Sequence, residues 1–425
     1  MKENPVIAYI AQKLNRYPNL KQKIGDFLIL IWRFKLKFKK CDMGFNVDRT
    51  YWINPNKIIY AIKGTDEIIT GFDIVKDKGK IISGDWDLPE NRIRFEDLDV
   101  YQAFYQRFVE GKSWQETDFY RRVVTEISKG KVKFGCKTKE EFDERCKKLD
   151  KLYQNIKNNG YKTQKEISMN YRNRLLSEED EIAVSIARTG ELLFNNGMHR
   201  LSIAKILNLE KIPVKITVRH PGWVEFRKQI LNQTGKNGKV YHPLTHPDLA
   251  DIPSEHGDER FEIIKRNLST KKGTLLDIGS HWGYFCHKFE EIGFHCYAVE
   301  SSPRNVYFLK KLKQAENRKF EVINKSIFEY REKSDFDVVL ALNIFHHFLK
   351  KKELYFKLIE LLKRLKTKEL FLQTHRYDEA QMKGAYKNYS PEEFVEFVLE
   401  NSCLDEAKLI GEEDGRPIYK LYKRN

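Results

Sequence analysis

What the sequence is short of bounds it first. Its six cysteines, Cys41, Cys136, Cys146, Cys286, Cys296 and Cys403, form no Cys-x-x-Cys pair and no dense framework. A disulfide-stapled secreted scaffold is thereby excluded, and a reducing cytosol is expected. The apolar run Phe27–Trp32 has six residues, where a bilayer crossing needs about 20. Met1–Arg16 mixes polar and apolar residues without a small-residue cleavage site, so no secretory signal is read there. Acidic residues trail basic ones, 61 against 77, which leaves a formal charge of +16. That excess suggests an anionic partner, whether nucleic acid, a phosphorylated metabolite or an acidic membrane surface. Lysines spread along the whole chain fit a merely solvated basic surface equally well. His242, His246 and His256 are spaced too irregularly to read as metal ligands, and no metal site is expected.

What is present suffices for two or three globular domains, since 41% of 425 residues are hydrophobic. Residues 1–45 form a basic segment in which Phe34, Leu36 and Phe38 interleave with lysines. Such a segment either lies on an anionic membrane surface or packs as a two-faced strand. Short strands follow from Tyr51, and Lys80–Asp87 ends in Asp85 and Asp87, hard oxygen donors suited to a base or a Mg²⁺ site and suited equally to a solvated strand exit. Apolar residues at helical spacing predict a helical insertion over about 95–160. Residues 235–258 collect Gly, Pro and His and read as a linker.

The most informative stretch is Leu275–Gly283, Leu-Leu-Asp-Ile-Gly-Ser-His-Trp-Gly. An apolar strand ends in Asp277, Gly279 and Gly283 bracket a tight turn around Ser280, and an amphipathic helix follows from Tyr284. A second strand then ends in Glu300, roughly 20 residues on, where nucleotide-binding β-α-β units place the acid that takes ribose hydroxyls. In these residues the chain resembles the class I S-adenosylmethionine-dependent methyltransferases. The resemblance implies that Asp277, Gly279, Ser280 and Gly283 cradle the methionine part of the cofactor, Glu300 holds the ribose, and Ser326 and Ile327 contact the adenine. The family's usual central glycine is His281 here. The buried strand Phe336–Asn343 delivers Asn343, His346 and His347 to the carboxyl edge of the sheet, with the two histidines as candidate bases. A hairpin through Asp414-Gly415 completes a Rossmann-like seven-stranded methyltransferase sheet over 259–425.

A second turn lies at Asn195-Asn-Gly-Met-His-Arg200, between strand Leu192–Phe194 and a helix, with Lys211–Val218 returning as a strand. Here the chain resembles the ParB/sulfiredoxin superfamily. The implication for 46–234 is an α+β domain in which Gly197, His199 and Arg200 bind nucleotide phosphates; sulfinic acid repair is excluded because Met198 stands where that branch has its cysteine. No Asn/Asp-Pro-Pro-Tyr/Phe or Pro-Cys motif of DNA base methylation occurs. The reading is therefore an α/β enzyme of the cytoplasm that methylates a small-molecule or glycan acceptor, with a lipid-linked or phosphorylated acceptor and peripheral contact with the inner face of the membrane as one variant. Its N-terminal domain binds a nucleoside triphosphate with Mg²⁺, with phosphotransfer as one variant. The alternative is a ParB-like DNA-binding module that directs a nucleic-acid methyltransferase; a purely structural N-terminal half is the third reading.

Overall fold

The computed structural model describes residues 45–46, 49–64, 71–74, 76–164, 166 and 181–424. Apart from Phe45, the basic aromatic segment lies outside them. The chain divides into two compact units: one takes the chain up to Arg188 together with Leu192–Val224, the other Thr189–Glu191 and Glu225–Asn425.

In the first unit, strands β1 (Tyr51–Ile53), β2 (Tyr60–Ile62), β3 (Lys80–Ile81) and β4 (Arg92–Arg94) precede three helices. These are α1 (Asp99–Phe108), α2 (Asp118–Ser128) and α3 (Lys139–Asn159), which occupy the span expected to be helical. Thr117 and Thr138 cap α2 and α3 through their side chains, and Gly160 at φ 74 ends α3. The chain continues through β5 (Ile182–Ile186), β6 (Leu192–Asn196), α4 (Met198–Ile206) and β7 (Ile212–Arg219). The sheet order is β1-β7-β5-β6-β2-β4, with β3 also on β7, and parallel and antiparallel pairs mix. Every residue of β5 is buried because it lies between β6 and β7.

After α5 (Pro221–Leu231), the second unit holds α6 (Glu259–Asn267), β8 (Gly273–Ile278), α7 (Tyr284–Glu291), β9 (Phe294–Val299), α8 (Pro303–Ala315) and β10 (Glu321–Ile323). It ends with β11 (Asp335–Leu342), α9 (Lys352–Arg364), β12 (Lys366–Gln373), α10 (Pro391–Asn401), β13 (Glu406–Glu413) and β14 (Arg416–Tyr422). The order is β10-β9-β8-β11-β12-β14-β13, parallel from β10 to β12 and closed by an antiparallel hairpin. Alternation along the strands fills two layers: Leu275, Val338 and Leu340 pack with Phe289 and Leu309 on one face, Leu276, Val339 and Ala341 with Leu358 and Phe394 on the other. The connections leave β8 toward β9 on one side and return to β11 on the other. That reversal opens a crevice at the carboxyl ends of β8 and β11, where α/β sheets bind ligands. Among the described residues no helix is long and apolar enough to cross a membrane.

Candidate functional site

The crevice begins where β8 ends. Gly279, His281 and Gly283 have φ of 74, 51 and 83, so the turn runs through three left-handed residues. A Cβ on Gly279 would stand 2.9 Å from Ile344 Cδ1, so conformation and space both require glycine there. His281 adopts this backbone without being glycine, and its ring stacks on Trp282 at 5.2 Å. Burial, with Arg304 nearby, pushes its imidazole down to about 4, so it is neutral.

Glu300 ties the turn to the second strand. Its carboxylate accepts the His281 N–H at 3.0 Å and the Ser302 N–H at 2.8 Å, while the Gly279 and Ser280 N–H groups donate to Val299 O. Each carboxylate oxygen keeps acceptor capacity for a hydroxyl. Asp277 is 3% exposed, and burial, reinforced by Glu300 and opposed by the Cys286 thiol 3.7 Å away, pushes its carboxyl up to about 7. Among the described residues no donor or acceptor reaches the buried Ser280 Oγ, Trp282 Nε1, Asn343 Oδ1 or His346 Nδ1. A row of unpaired polar atoms at the head of a sheet is costly unless a ligand completes it.

Asn343 follows β11 at φ 55, and a turn of 3₁₀ helix, Phe345–Lys350, then presents the two histidines. His346 is buried and His347 exposed, their rings 4.0 Å apart. Burial, then the neighbouring cations, holds His346 down near 3 and lowers His347 too. Both face an open cavity of about 600 Å³ whose other walls include Tyr241, His256, Arg376, Glu379 and Arg416. Arg416 forks onto Glu379 at 2.7 and 2.6 Å. Burial alone would raise Glu379, but Arg416 and the Arg376 N–H outweigh it and hold the carboxyl near 2. Behind His346 lies His375, 5.8 Å between ring centres, whose Nε2 is 3.0 Å from Asn388 Oδ1. Because the Asn388 amide donates to Tyr377 O, its oxygen is the acceptor and the His375 proton sits on Nε2.

His375, Arg376, Glu379 and Arg416 escaped the sequence reading. Their signal was the position of Gln-Thr-His-Arg just past β12, the strand beside β11. Tyr241 and His256 come from the stretch read as a linker, which thus contributes a wall of the cavity. His256, Glu413 and Asp414 each bring a donor atom within 4.8 Å of the others. Glu413 pairs with Arg260, and His256 Nδ1 lies 3.5 Å from Glu413 and 2.9 Å from Asp414.

Other expected site residues have different surroundings. The side chain of Ile327 is turned into the core layer with Leu276 and Phe345, and its carbonyl accepts from Arg364 at 2.8 Å, so it is withdrawn from the crevice. The Ser326 carbonyl closes a turn to Glu329 and Tyr330. In the first unit, Asp87 is fully buried and accepts the Arg188 N–H at 2.6 Å and its Nη2 at 2.7 Å; Asp85 meets the same guanidinium at 3.0 Å. Burial would raise Asp87, but the Arg188 hydrogen bonds hold its carboxyl below the usual range. With its oxygens committed to a guanidinium, Asp87 serves as an anchor for the 84–87 loop rather than as a base or Mg²⁺ ligand. Gly197, at φ 91, starts α4 where a Cβ would stand 3.0 Å from Ile182 Cα. The ring of His199 stacks 5.6 Å from Phe104 and lies 5.4 Å from Phe134, and burial pushes it down to about 3. Such a ring packs as a neutral group and brings no positive charge to an anion cradle. Arg200 lies 3.7 Å from Glu181.

Residues 256–398 match the model of a methyltransferase domain family, so the C-terminal part of the chain contains a methyltransferase domain. No curated protein matches the chain. Among solved structures, the bifunctional kinase-methyltransferase WbdD is 19% identical over 46% of this chain and 46% of that one, with a TM-score of 0.38. The chain thus spans under half the length of that protein. The N-methyltransferase NodS from Bradyrhizobium japonicum WM9 is 13% identical over 40% of this chain and 96% of its own, TM-score 0.33. The magnesium protoporphyrin IX methyltransferase ChlM from Synechocystis PCC 6803, solved with bound SAM, is 13% identical over 39% of this chain and 76% of its own, TM-score 0.30.

Proposed function

We propose that the second unit transfers a methyl group from S-adenosylmethionine to a hydroxyl or amine of a polar small-molecule or glycan acceptor held in the cavity beside His346. The observation that carries this is the juxtaposition, at one crevice, of a left-handed glycine turn, unpaired buried polar atoms and a polar cavity lined by imidazoles. The residues fit the cofactor: Gly279 leaves room at the turn, Ser280 and Asn343 offer unpaired atoms, and Glu300 offers oxygens to a ribose. When bound, S-adenosylmethionine supplies an electrophilic methyl group.

The chain's own contribution is to align the acceptor and take its proton. As an acceptor oxygen gains a methyl group it becomes an oxonium whose proton is strongly acidic, so even an imidazole of low pKa can receive it, whereas an amine acceptor reacts as the free base and passes the proton of its methylated ammonium to solvent. His346, neutral and partnerless at Nδ1, is the base; His347 orients it through ring contact. The Arg416–Glu379 fork offers both charge signs to the acceptor, which suits a polyhydroxylated molecule better than a purely anionic one. Calorimetry with S-adenosylmethionine tests the cofactor site: wild type binds and Asp277→Ala binds more weakly, and equal affinity overturns the assignment.

The first unit supports a narrower reading of the ParB/sulfiredoxin-like expectation. The α4 N-terminus has no side-chain cap, so backbone N–H groups rather than His199 would face a phosphate. Titration with nucleoside triphosphates decides: heat of binding lost in Arg200→Ala supports the reading, and no binding in wild type leaves this half structural. Retention on duplex DNA with a steep salt dependence would instead favour a DNA-directing module.

A further inference from the structure

Three of the exposed large hydrophobic side chains of the described residues gather beside the acceptor cavity: Tyr377 at 61% exposure, Phe356 at 50% and Tyr386 at 39%. Two chain segments bring them together. The Tyr386 N–H donates to Lys350 O at 3.2 Å and the Lys387 N–H to Leu349 O at 3.0 Å, which lays residues 386–387 along the end of the 3₁₀ helix that leads into α9. Tyr355 fills the gap, its ring 5.5 Å from both Phe356 and Tyr386. Asn388 donates to the backbone carbonyl of Tyr377 at 2.9 Å, which ties the segment carrying the third aromatic residue to the one carrying Tyr386.

Basic residues outnumber acids around them. Lys351, Lys352, Lys383 and Lys387 are exposed on these segments. Of the acids nearby, Glu353 pairs with Lys357 at 2.5 Å and Asp378 lies 3.5 Å from Arg376, while Glu360 is exposed one turn along α9 from Phe356. Lys350 joins the patch to the cavity, since its ammonium reaches both His347 Nδ1 at 3.3 Å and Gln381 Oε1 at 3.1 Å, and both of these line the cavity. Protruding aromatic rings ringed by lysines match the polar-apolar boundary of an anionic bilayer, where rings enter the headgroup layer and ammonium groups meet phosphates. A nucleic-acid strand would call for a basic groove tracking its backbone, whereas the lysines here flank exposed aromatic side chains on a helix and a loop.

We propose that this patch docks on an anionic lipid surface and sets the mouth of the acceptor cavity against it, so that the acceptor is drawn from the membrane. The acceptor's source rests on the methyl-transfer reading above; the docking does not. The test is co-sedimentation of the full chain with vesicles of equimolar phosphatidylglycerol and phosphatidylcholine, with vesicles of phosphatidylcholine alone, and with a single-stranded RNA oligonucleotide. The expected result is binding to the anionic vesicles only, weakened about thirtyfold in Lys351→Gln/Lys387→Gln and again in Tyr377→Ser/Phe356→Ser, with S-adenosylmethionine affinity unchanged in both. Undiminished binding by these variants, which would assign membrane contact to residues 1–45, overturns the proposal. So does equal binding to neutral vesicles, or retention on RNA alone. Loss of cofactor binding with intact vesicle binding would sink the methyl-transfer reading and leave the docking surface standing.

Discussion

At the scale of single residues, the site mixes groups whose charge is suppressed by burial with groups whose charge is fixed by a partner. Asp277 belongs to the first kind. Its folded pKa, near 7, lies above the ordinary carboxyl value, so its contribution to stability is full below the ordinary carboxylate range and is lost as pH rises through 7. The melting temperature of the cofactor-free protein should therefore fall between pH 5 and pH 8 by more than in Asp277→Asn, which calorimetric melts at the two pH values would show; parallel curves would refute it. His346 is the complementary case. Its imidazole remains unprotonated down to about 3, so wild-type turnover should hold its plateau well into the acid range, while His346→Gln loses about 10²- to 10⁴-fold in kcat with the cofactor affinity kept. A KM effect without a kcat effect would move His346 from catalysis to binding.

Among the elements, those whose logic is local were legible in advance. Asp277, Gly279, Gly283 and Glu300 lie within 24 residues of one another, and their strand-turn-helix-strand pattern is written in apolar periodicity and glycine. The strand before Asn343 and the Asp414-Gly415 hairpin, with φ of 54 and 71 at its two turn residues, were legible for the same reason. Pairings across long separations were not. Arg188 and Asp87 are 101 positions apart, and nothing local to either announces the other, so an anchored carboxylate resembled a free one. His199 read as an anion ligand because Phe104 and Phe134, which enclose it, belong to a helical insertion whose docking no spacing reveals. Two outcomes follow at this scale. Arg188→Ala strands a buried carboxylate and should destabilise the first unit by about 3–5 kcal/mol in urea unfolding; a change under about 1 kcal/mol would mean that Asp87 is solvated and available. Arg416→Ala unties the 376–381 loop from β14 and should raise the acceptor KM several-fold while S-adenosylmethionine binding stays put; a loss of cofactor binding would show that the fork supports the whole crevice.

For the whole molecule, the division into two units predicts a division in its response to ligand. S-adenosylmethionine at about 100 times its Kd should stabilise the second unit by about 2.7 kcal/mol and leave the unfolding of the first unit unmoved, which hydrogen exchange resolved by segment would register; equal protection in both halves would show that they unfold as one. Within the second unit the two sides of the site come from different lengths of chain. The residues proposed to hold the cofactor are Asp277 to Glu300 with Asn343, whereas the other walls of the cavity come from 241–256 and from 346–416, chiefly the connection after β12 and the closing hairpin. On the methyl-transfer reading proposed above, insertions or exchanges in that later connection reshape what is methylated while Gly279, Ser280 and Glu300 keep their places. Descendants of this sequence could change acceptor by single steps, each tested on an intact donor site.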